Sequence, residues 1–164
     1  VGVLSKDDAI SFGCTGPTAR ASGVSCDIRK WNPYGVYDKV QFDEIIMTEG
    51  DCYARYMCRM AEMKQSVSII EQMIDNIPEG EFQEKTKAVI KLPKGEFYQR
   101  VETARGELGV YIVSDGAASP YRVKYRSPGF SNLSALSHMA QGAKIGDLVA
   151  IMATIDLVIP DIDR

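Results

Sequence analysis

Gly50-Asp51-Cys52-Tyr53-Ala54-Arg55-Tyr56-Met57-Cys58-Arg59-Met60-Ala61-Glu62-Met63 opens the stretch on which the fold turns. Tyr53, Tyr56, Met57, Met60, Val67, Ile70 and Ile74 recur at three- and four-residue steps, and Pro78 stands just past them. Such spacing places these side chains on one face of a helix and predicts a long amphipathic helix over 49–78, halted before the proline. Arg55, Arg59, Glu62, Lys64 and Glu71 fall between them as the expected polar face. Met57, Met60, Met63 and Met73 read as core filler, with a soft metal site or an adaptable binding face as the alternatives.

Beyond 94 the period changes from helical to alternating. Residues 97–102, a turn at Ala104-Arg105-Gly106, residues 107–114 and a second turn at Asp115-Gly116 predict a hairpin. In the next run Tyr121, Val123 and Tyr125 alternate with Arg122, Lys124 and Arg126, giving one apolar and one cationic face. The expectation is a small antiparallel three-stranded sheet within 95–127, packed on the long helix. The cationic face is either solvated or set against an acidic partner.

Upstream, Ser5 is a candidate N-cap with Asp8 at the capping-box position, and the short helix ends at Gly13. The rest of 1–48 is irregular, broken by Gly16-Pro17, Ser22-Gly23 and Asn32-Pro33. A long irregular stretch inside a compact domain tends to be functional or bound to a partner. This one carries Arg20, Asp27, Arg29, Lys30, Trp31, Tyr34, Tyr37 and Asp38. Two readings stand: a structural loop pinned by its own ion pairs and aromatic rings, or a contact with another subunit.

Downstream, 131–164 should hold helices and a buried tail. Leu133, Leu136 and Met139 form a short helical pattern stopped by Gly142, with the sole histidine, His138, on its polar side as a surface residue. Asp147 should cap a helix over 148–155 that is apolar all round and therefore buried on every side. One domain of 164 residues hardly has the mass to surround it, which implies further protein. The chain also opens Val1-Gly2-Val3 without an initiator methionine, which reads as a piece of something longer. Its tail alternates Asp156, Asp161 and Asp163 with apolar residues. An apolar end of this kind should dock inward, with its carboxylates paired to Arg164 and backbone amides.

Composition narrows the class. Hydrophobic residues at 45% and charged residues at 25% are ordinary globular usage, which excludes wholesale disorder and coiled coil. A net charge of −3 argues against nucleic acid. No apolar stretch approaches the ~20 residues of a membrane-spanning helix. Cys14, Cys26, Cys52 and Cys58 form no C-x-x-C and read as free thiols of a reducing compartment, with a redox or metal role as the minority reading. The expected class is α+β.

Several segments together resemble a known family. They are Thr15-Gly16-Pro17 with Arg20-Ala21-Ser22-Gly23, Asp27-Ile28-Arg29-Lys30 with Pro33-Tyr34 and Tyr37-Asp38, and Gly50-Asp51 with Arg55-Tyr56, Arg59 and Glu62-Met63. Gly106-Glu107-Leu108-Gly109, Ser114-Asp115-Gly116, Pro120-Tyr121-Arg122, Pro128-Gly129-Phe130, Ile155-Asp156 and Asp163-Arg164 continue the match in order. The chain is similar to about the C-terminal half of the D-type, quinone-site subunit of proton-pumping NADH:quinone oxidoreductase (respiratory complex I). That subunit is a relative of the large subunit of nickel–iron hydrogenases. The resemblance implies a hydrogenase large-subunit-like fragment.

The tail separates the two branches of that superfamily. In hydrogenases a terminal Asp-Pro-Cys-x-x-Cys-x-x-His binds the nickel–iron centre. Aligned on Asp156, those Cys positions fall on Val158 and Asp161 and the His on Arg164. Valine has no lone pair, arginine stays protonated and aspartate is a hard ligand, so a soft thiolate site cannot form. In the quinone branch the resemblance places Asp156, Val158, Asp161 and Arg164 in the wall of the quinone cavity. The family usually ends Phe-Gly-Glu-Val-Asp-Arg, whereas this chain ends Ile159-Pro160-Asp161-Ile162-Asp163-Arg164, and its segment 79–94 is shorter than in many members. The His and Tyr thought to bind the quinone headgroup belong to the family's N-terminal half.

The resemblance further implies no cofactor and no metal held by this chain, with quinone as substrate and NADH, FMN and iron–sulfur clusters on partner subunits. Those partners are the subunit that carries the terminal iron–sulfur cluster and the membrane arm. The location implied is peripheral, on the cytoplasmic side of a bacterial membrane or the matrix side in mitochondria. The isolated chain should be inactive. The alternatives are a nickel–iron hydrogenase-type large subunit and a structural subunit without quinone chemistry.

Overall fold

The structure is a computed structural model describing residues 1–163. Its order is α1 (Lys6–Ser11), α2 (Pro17–Arg20), α3 (Ile28–Trp31), α4 (Cys52–Ile74), β1 (Gly95–Thr103), β2 (Gly106–Ser114), β3 (Arg122–Arg126), α5 (Pro128–Ser134), α6 (Leu136–Met139), α7 (Ile145–Thr154) and α8 (Ile159–Ile162). The α+β class stands. Ser5 caps α1 by accepting from the Asp8 amide at 3.1 Å, and Asp51 caps α4 by accepting from the Ala54 amide at 2.8 Å.

The sheet is the antiparallel meander β1-β2-β3, in register from Gly95↔Ser114 to Thr103↔Gly106 and from Gly109↔Arg126 to Val113↔Arg122. It leans on α3 through β1 and on α5 through β2, rather than on the long helix as expected. The reason is an ionic layer. Arg20 fills the space between α4 and β1, bonding Glu62 on one and Glu102 on the other.

The 14–39 stretch is less irregular than its breakers suggest, because two helical turns form there. Pro17 at the start of α2 presets its φ, and Asp27 caps α3 by accepting from the Arg29 amide at 2.9 Å. Both turns are too short for a hydrophobic period to reveal. The C-terminal helical region likewise begins at Pro128 rather than 131, capped by Ser127.

The main core is made of small and aliphatic side chains. Leu4, Ala9, Cys14, Ala19, Cys26, Ala135, Met139, Ile151 and Ile155 pack from both ends of the chain. A second cluster of Ala21, Ala54 and Cys58 joins α2 to α4.

The long helix turns the opposite way to the expected one. Ala54, Arg55 and Cys58 are its buried residues, while Tyr53 is 68% exposed, Val67 54% and Ile70 60%. The arginine side goes inward because backbone carbonyls and the Thr154 hydroxyl accept from it. Much of the apolar stripe stays open within residues 1–163, so Met60 and Met63 are exposed and are not core filler in this chain.

Helix α7 differs similarly. It starts at Ile145 with Lys144 as N-cap, and Asp147 sits one turn in, accepting from the Lys144 amide at 3.3 Å. Ile151 is buried, but Ile145 and Val149 are open to solvent, so burial on every side is not achieved. The tail is half-buried rather than wholly inward: Ile155 is enclosed, α8 packs on α5, and Ile159 is exposed. Arg164, expected as a partner for the tail carboxylates, lies outside the described residues.

Candidate functional site

Helical geometry brings Arg55, Arg59 and Glu62 onto one stripe of α4, since steps of three and four residues share a face. Arg55 lies against the two chain ends. It donates to Gly50 O at 2.7 Å, Gly2 O at 2.9 Å and Thr154 Oγ1 at 3.1 Å. Burial lowers its pKa, because none of these acceptors carries a full charge. One turn on, Arg59 donates from Nη1 to Thr154 O at 2.5 Å, and burial lowers its pKa too, opposed by the charges of Asp156 and Glu62.

Glu62 ends the stripe and faces a different cation. Arg20 donates from Nε to Glu62 Oε1 at 2.7 Å and from Nη1 to Glu102 Oε1 at 2.8 Å. Burial would depress the Arg20 pKa, but the two carboxylates raise it well above the usual arginine value. Burial raises the Glu102 pKa despite Arg20, while its Oε2 accepts from the Ile28 amide at 3.2 Å. The Cys58 thiol, buried beside Glu62, is pushed up to about 12, so it stays protonated and inert.

The tail meets this stripe at Asp156. Its backbone is left-handed, with φ 55°, a region that aspartate tolerates better than most residues. Its Oδ2 lies 3.3 Å from Arg105 Nε, and the same nitrogen donates to Asp156 O at 3.2 Å. Arg105 belongs to the β1–β2 turn, which is locked in place by backbone packing. At Gly16, φ 67°, a Cβ would lie 2.4 Å from Arg105 O, so only glycine allows that approach. Asn132 bridges the same joint, accepting from the Thr15 amide and donating to Arg105 O, each at 3.2 Å.

Between α4, this turn and the tail lies an open groove of about 360 Å³. Tyr56, Met60, Met63 and Ala104 supply apolar walls, and Arg59, Glu62, Ser66 and Asp156 supply polar ones. Such a mixture suits a ligand with an apolar body and a few polar atoms.

The residues singled out from sequence separate into groups. Asp156 reaches the groove. Asp161 points to α5, accepting from Ser127 Oγ at 2.8 Å and from the Gly129 amide at 3.0 Å. Val158 is half-buried between the two, before α8, and Arg164 lies outside the described residues. Arg20 stands behind the groove on Glu62. Asp27 and Arg29 pair at 2.7 Å, with Arg29 also 4.7 Å over the Phe42 ring. Tyr34 Oη accepts from the Glu102 amide at 3.0 Å, and Asp38 is exposed. The Asp27–Arg29 pair and the aromatic rings brace the loop, and Arg20 and Tyr34 tie it to Glu62 and Glu102. Sequence reasoning alone misses Arg59, Glu62, Glu102 and Arg105 as site residues. For the first two, the signal is that Arg55, Arg59 and Glu62 share a stripe without pairing to one another.

Among the described residues no cluster of three or more His, Cys, Asp or Glu side chains could hold a metal ion, and the cysteines are free thiols. No helix there is long and apolar enough to cross a membrane.

A capped long helix, a small meander and a tail folded back on both give the chain the α+β fold of a respiratory-complex subunit. The chain belongs to the family described as respiratory-chain NADH dehydrogenase, 49 Kd subunit, whose model matches residues 1–91 and 82–164. It is 59% identical over 164 residues to the C/D-type NADH-quinone oxidoreductase subunit of Bacteroides thetaiotaomicron, covering all of this chain and 31% of that protein. Over 165 residues it is 49% identical to the D-type NADH-quinone oxidoreductase subunit of Desulfotalea psychrophila, covering 44% of it. The chain thus spans less than half the length of these relatives. In structure it is similar to a chain of the membrane-bound sulfane sulfur reductase, an archaeal respiratory membrane complex, with a TM-score of 0.93 and 38% identity. That match covers 100% of this chain and 46% of the other.

Proposed function

We propose that this chain forms one wall of the quinone-reduction cavity in an NADH:quinone oxidoreductase. NADH electrons pass through FMN and iron–sulfur clusters on partner subunits, and the last cluster reduces quinone beside this wall, coupled to proton translocation. Asp156, Val158, Asp161 and Arg164 belong to the wall. This chain is peripheral to the membrane, on the cytoplasmic or matrix side, and contacts the membrane arm and the subunit with the terminal cluster. Trp31 and Asp38, exposed on the 14–39 loop, are available for such a contact.

The observation that carries this reading is Asp156 at the rim of a groove whose apolar walls are Tyr56, Met60, Met63 and Ala104. The apolar part suits a quinone ring, and Arg105 keeps the Asp156 carboxylate in place. A nickel–iron role is disfavoured because Val158 and Asp161 offer no thiolate and Asp161 is engaged by Ser127 and Gly129. The sulfane sulfur reductase neighbour favours a second reading, in which a related complex passes electrons to a different acceptor.

The test is Asp156→Asn in the full-length subunit within its membrane complex. Quinone reduction should fall about tenfold, equivalent to about 1.4 kcal/mol at the transition state, while electron entry to an artificial upstream acceptor persists. Equal loss of both, or of neither, overturns the placement. Turnover of quinone by the purified 164-residue chain would also contradict it.

A further inference from the structure

Nearly all the arginines that face the interior meet a carboxylate or at least three hydrogen-bond acceptors. Arg20 holds two carboxylates, Arg29 holds Asp27, and Arg55 bonds two backbone carbonyls and Thr154. Arg126 likewise bonds Gly13 O at 2.9 Å, Glu107 O at 2.6 Å and Thr15 Oγ1 at 3.1 Å. Arg59 is the exception. Its Nη1 reaches Thr154 O at 2.5 Å and, weakly, Arg55 O at 3.5 Å. Its Nε and Nη2 make no hydrogen bond to the described residues, no carboxylate among them lies within ion-pair distance, and the side chain lines the groove.

A guanidinium carries five N–H donors in a fixed fork and never accepts. Half-buried with no carboxylate in direct contact, it keeps free donors turned to the groove for an acceptor from outside the chain. Groove chemistry selects which one. Glu62 and Asp156 line the same space, so a further anion there would be repelled by two carboxylates, whereas a neutral carbonyl oxygen would be repelled far less. Met60 and Met63 add polarizable sulfur, which packs well against a flat ring. Tyr56 adds an aromatic wall of its own.

We infer that Arg59 is a binding residue for the acceptor molecule, donating through Nε or Nη2 to a ring carbonyl oxygen of a quinone seated against Met60, Met63 and Tyr56. The inference rests on the quinone reading above and adds to it a donor supplied by α4 rather than by the tail. Because arginine stays protonated throughout the working pH range, the contact does not itself titrate. The bond to Thr154 O fixes the guanidinium at the start of the tail, so donor and wall move together.

The experiment uses the full-length subunit in its assembled membrane complex, with a short-chain water-soluble quinone as probe. Arg59→Met should raise KM about tenfold and lower kcat less, the signature of lost ground-state binding. Arg59→Lys, which keeps the charge but not the fork, should recover part of that loss. Electron entry to an artificial upstream acceptor should be unchanged in both. If Arg59→Met does not assemble, Arg59→Lys decides: a KM raised about threefold or more supports the inference, and an unchanged KM overturns it. An unchanged KM in assembled Arg59→Met, with Asp156→Asn impaired, overturns the Arg59 role and leaves the quinone reading standing. Loss in neither variant overturns the quinone reading itself. Competitive inhibition by inorganic phosphate, relieved in Arg59→Met, would assign the donor to an anion and overturn the carbonyl assignment.

Discussion

Arg20 Nε lies 2.7 Å from Glu62 Oε1, and that contact ties the 14–39 segment to the long helix from behind the groove. Its other arm holds Glu102, whose side chain is only 3% exposed. Removing the cation would leave buried carboxylates unpaired, which costs about 3–5 kcal/mol. Arg20→Met should therefore lose most of the chain's stability. Arg105→Ala breaks a pair exposed at 31% and 41%, for which solvent screening leaves about 0–1 kcal/mol. Urea denaturation of both variants checks the ranking, and comparable losses would contradict it.

Two carboxylates near Arg20 should respond to acid with opposite signs. Burial acts to raise the Asp27 pKa, yet hydrogen bonds and charge from Arg29 hold it below its ordinary value of 3.8. A depressed carboxylate stabilises the fold above its unfolded pKa, and that share is lost as pH falls through the folded value, below about 3.8. Glu102 is raised from 4.5 by burial, so between 4.5 and its folded value the native chain binds more protons than the unfolded one. Stability then falls as pH rises through that window. Asp27→Asn should flatten the stability profile on the acid side, and Glu102→Gln should flatten the slope just above 4.5. Unfolding free energies measured from pH about 3 to 7 separate the two effects. A single common slope in both variants would refute the assignment.

The joint that presents Arg105 depends on a missing side chain. A Cβ on Gly106, at φ 131°, would lie 2.5 Å from Thr15 Oγ1 and 2.8 Å from Gly16 N. Gly116 also has positive φ, at 91°, but open space around it. Gly116→Ala should show the backbone strain alone, about 1–3 kcal/mol. Gly106→Ala should exceed it, because backbone must also move, and should displace Arg105 from Asp156. Thermal unfolding of the pair gives the comparison, and equal shifts would show that the 15–16 contact contributes nothing.

The fold is more legible in the sequence than the site, and the reasons are physical. Alternation and turn residues identify the meander because both are local properties of β1, β2 and β3. Periodicity likewise identifies α4, but a period says nothing about which stripe turns inward. That choice is made by partners far along the chain: Gly2 and Thr154 accept from Arg55, Thr154 accepts from Arg59, and Arg20 donates to Glu62. For the same reason Asp156 is reached only through family resemblance, and the period alone puts its neighbour Arg59 on the solvent side. Helices α2 and α3 escape detection because one turn carries no repeat.

The outward apolar stripe of α4 gives the last prediction. Val67, Ile70 and Ile74 stand 54%, 60% and 60% exposed on successive turns, beside the equally open Met63. Contiguous apolar patches of this kind mark interaction surfaces in soluble proteins. Since Ile70 buries little within the chain, Ile70→Lys should change its unfolding free energy by no more than about 0.5 kcal/mol, as at ordinary surface positions. The same substitution places a charge in the middle of the stripe, so in the full-length subunit it should weaken incorporation into the membrane complex if that stripe is covered there, read as the yield of assembled complex. A loss of more than about 2 kcal/mol would instead require Ile70 to be core in the folded chain, because only buried positions lose that much to one charge. That result would return α4 to the orientation its sequence period first suggested, and would move Arg59 out of the groove with it.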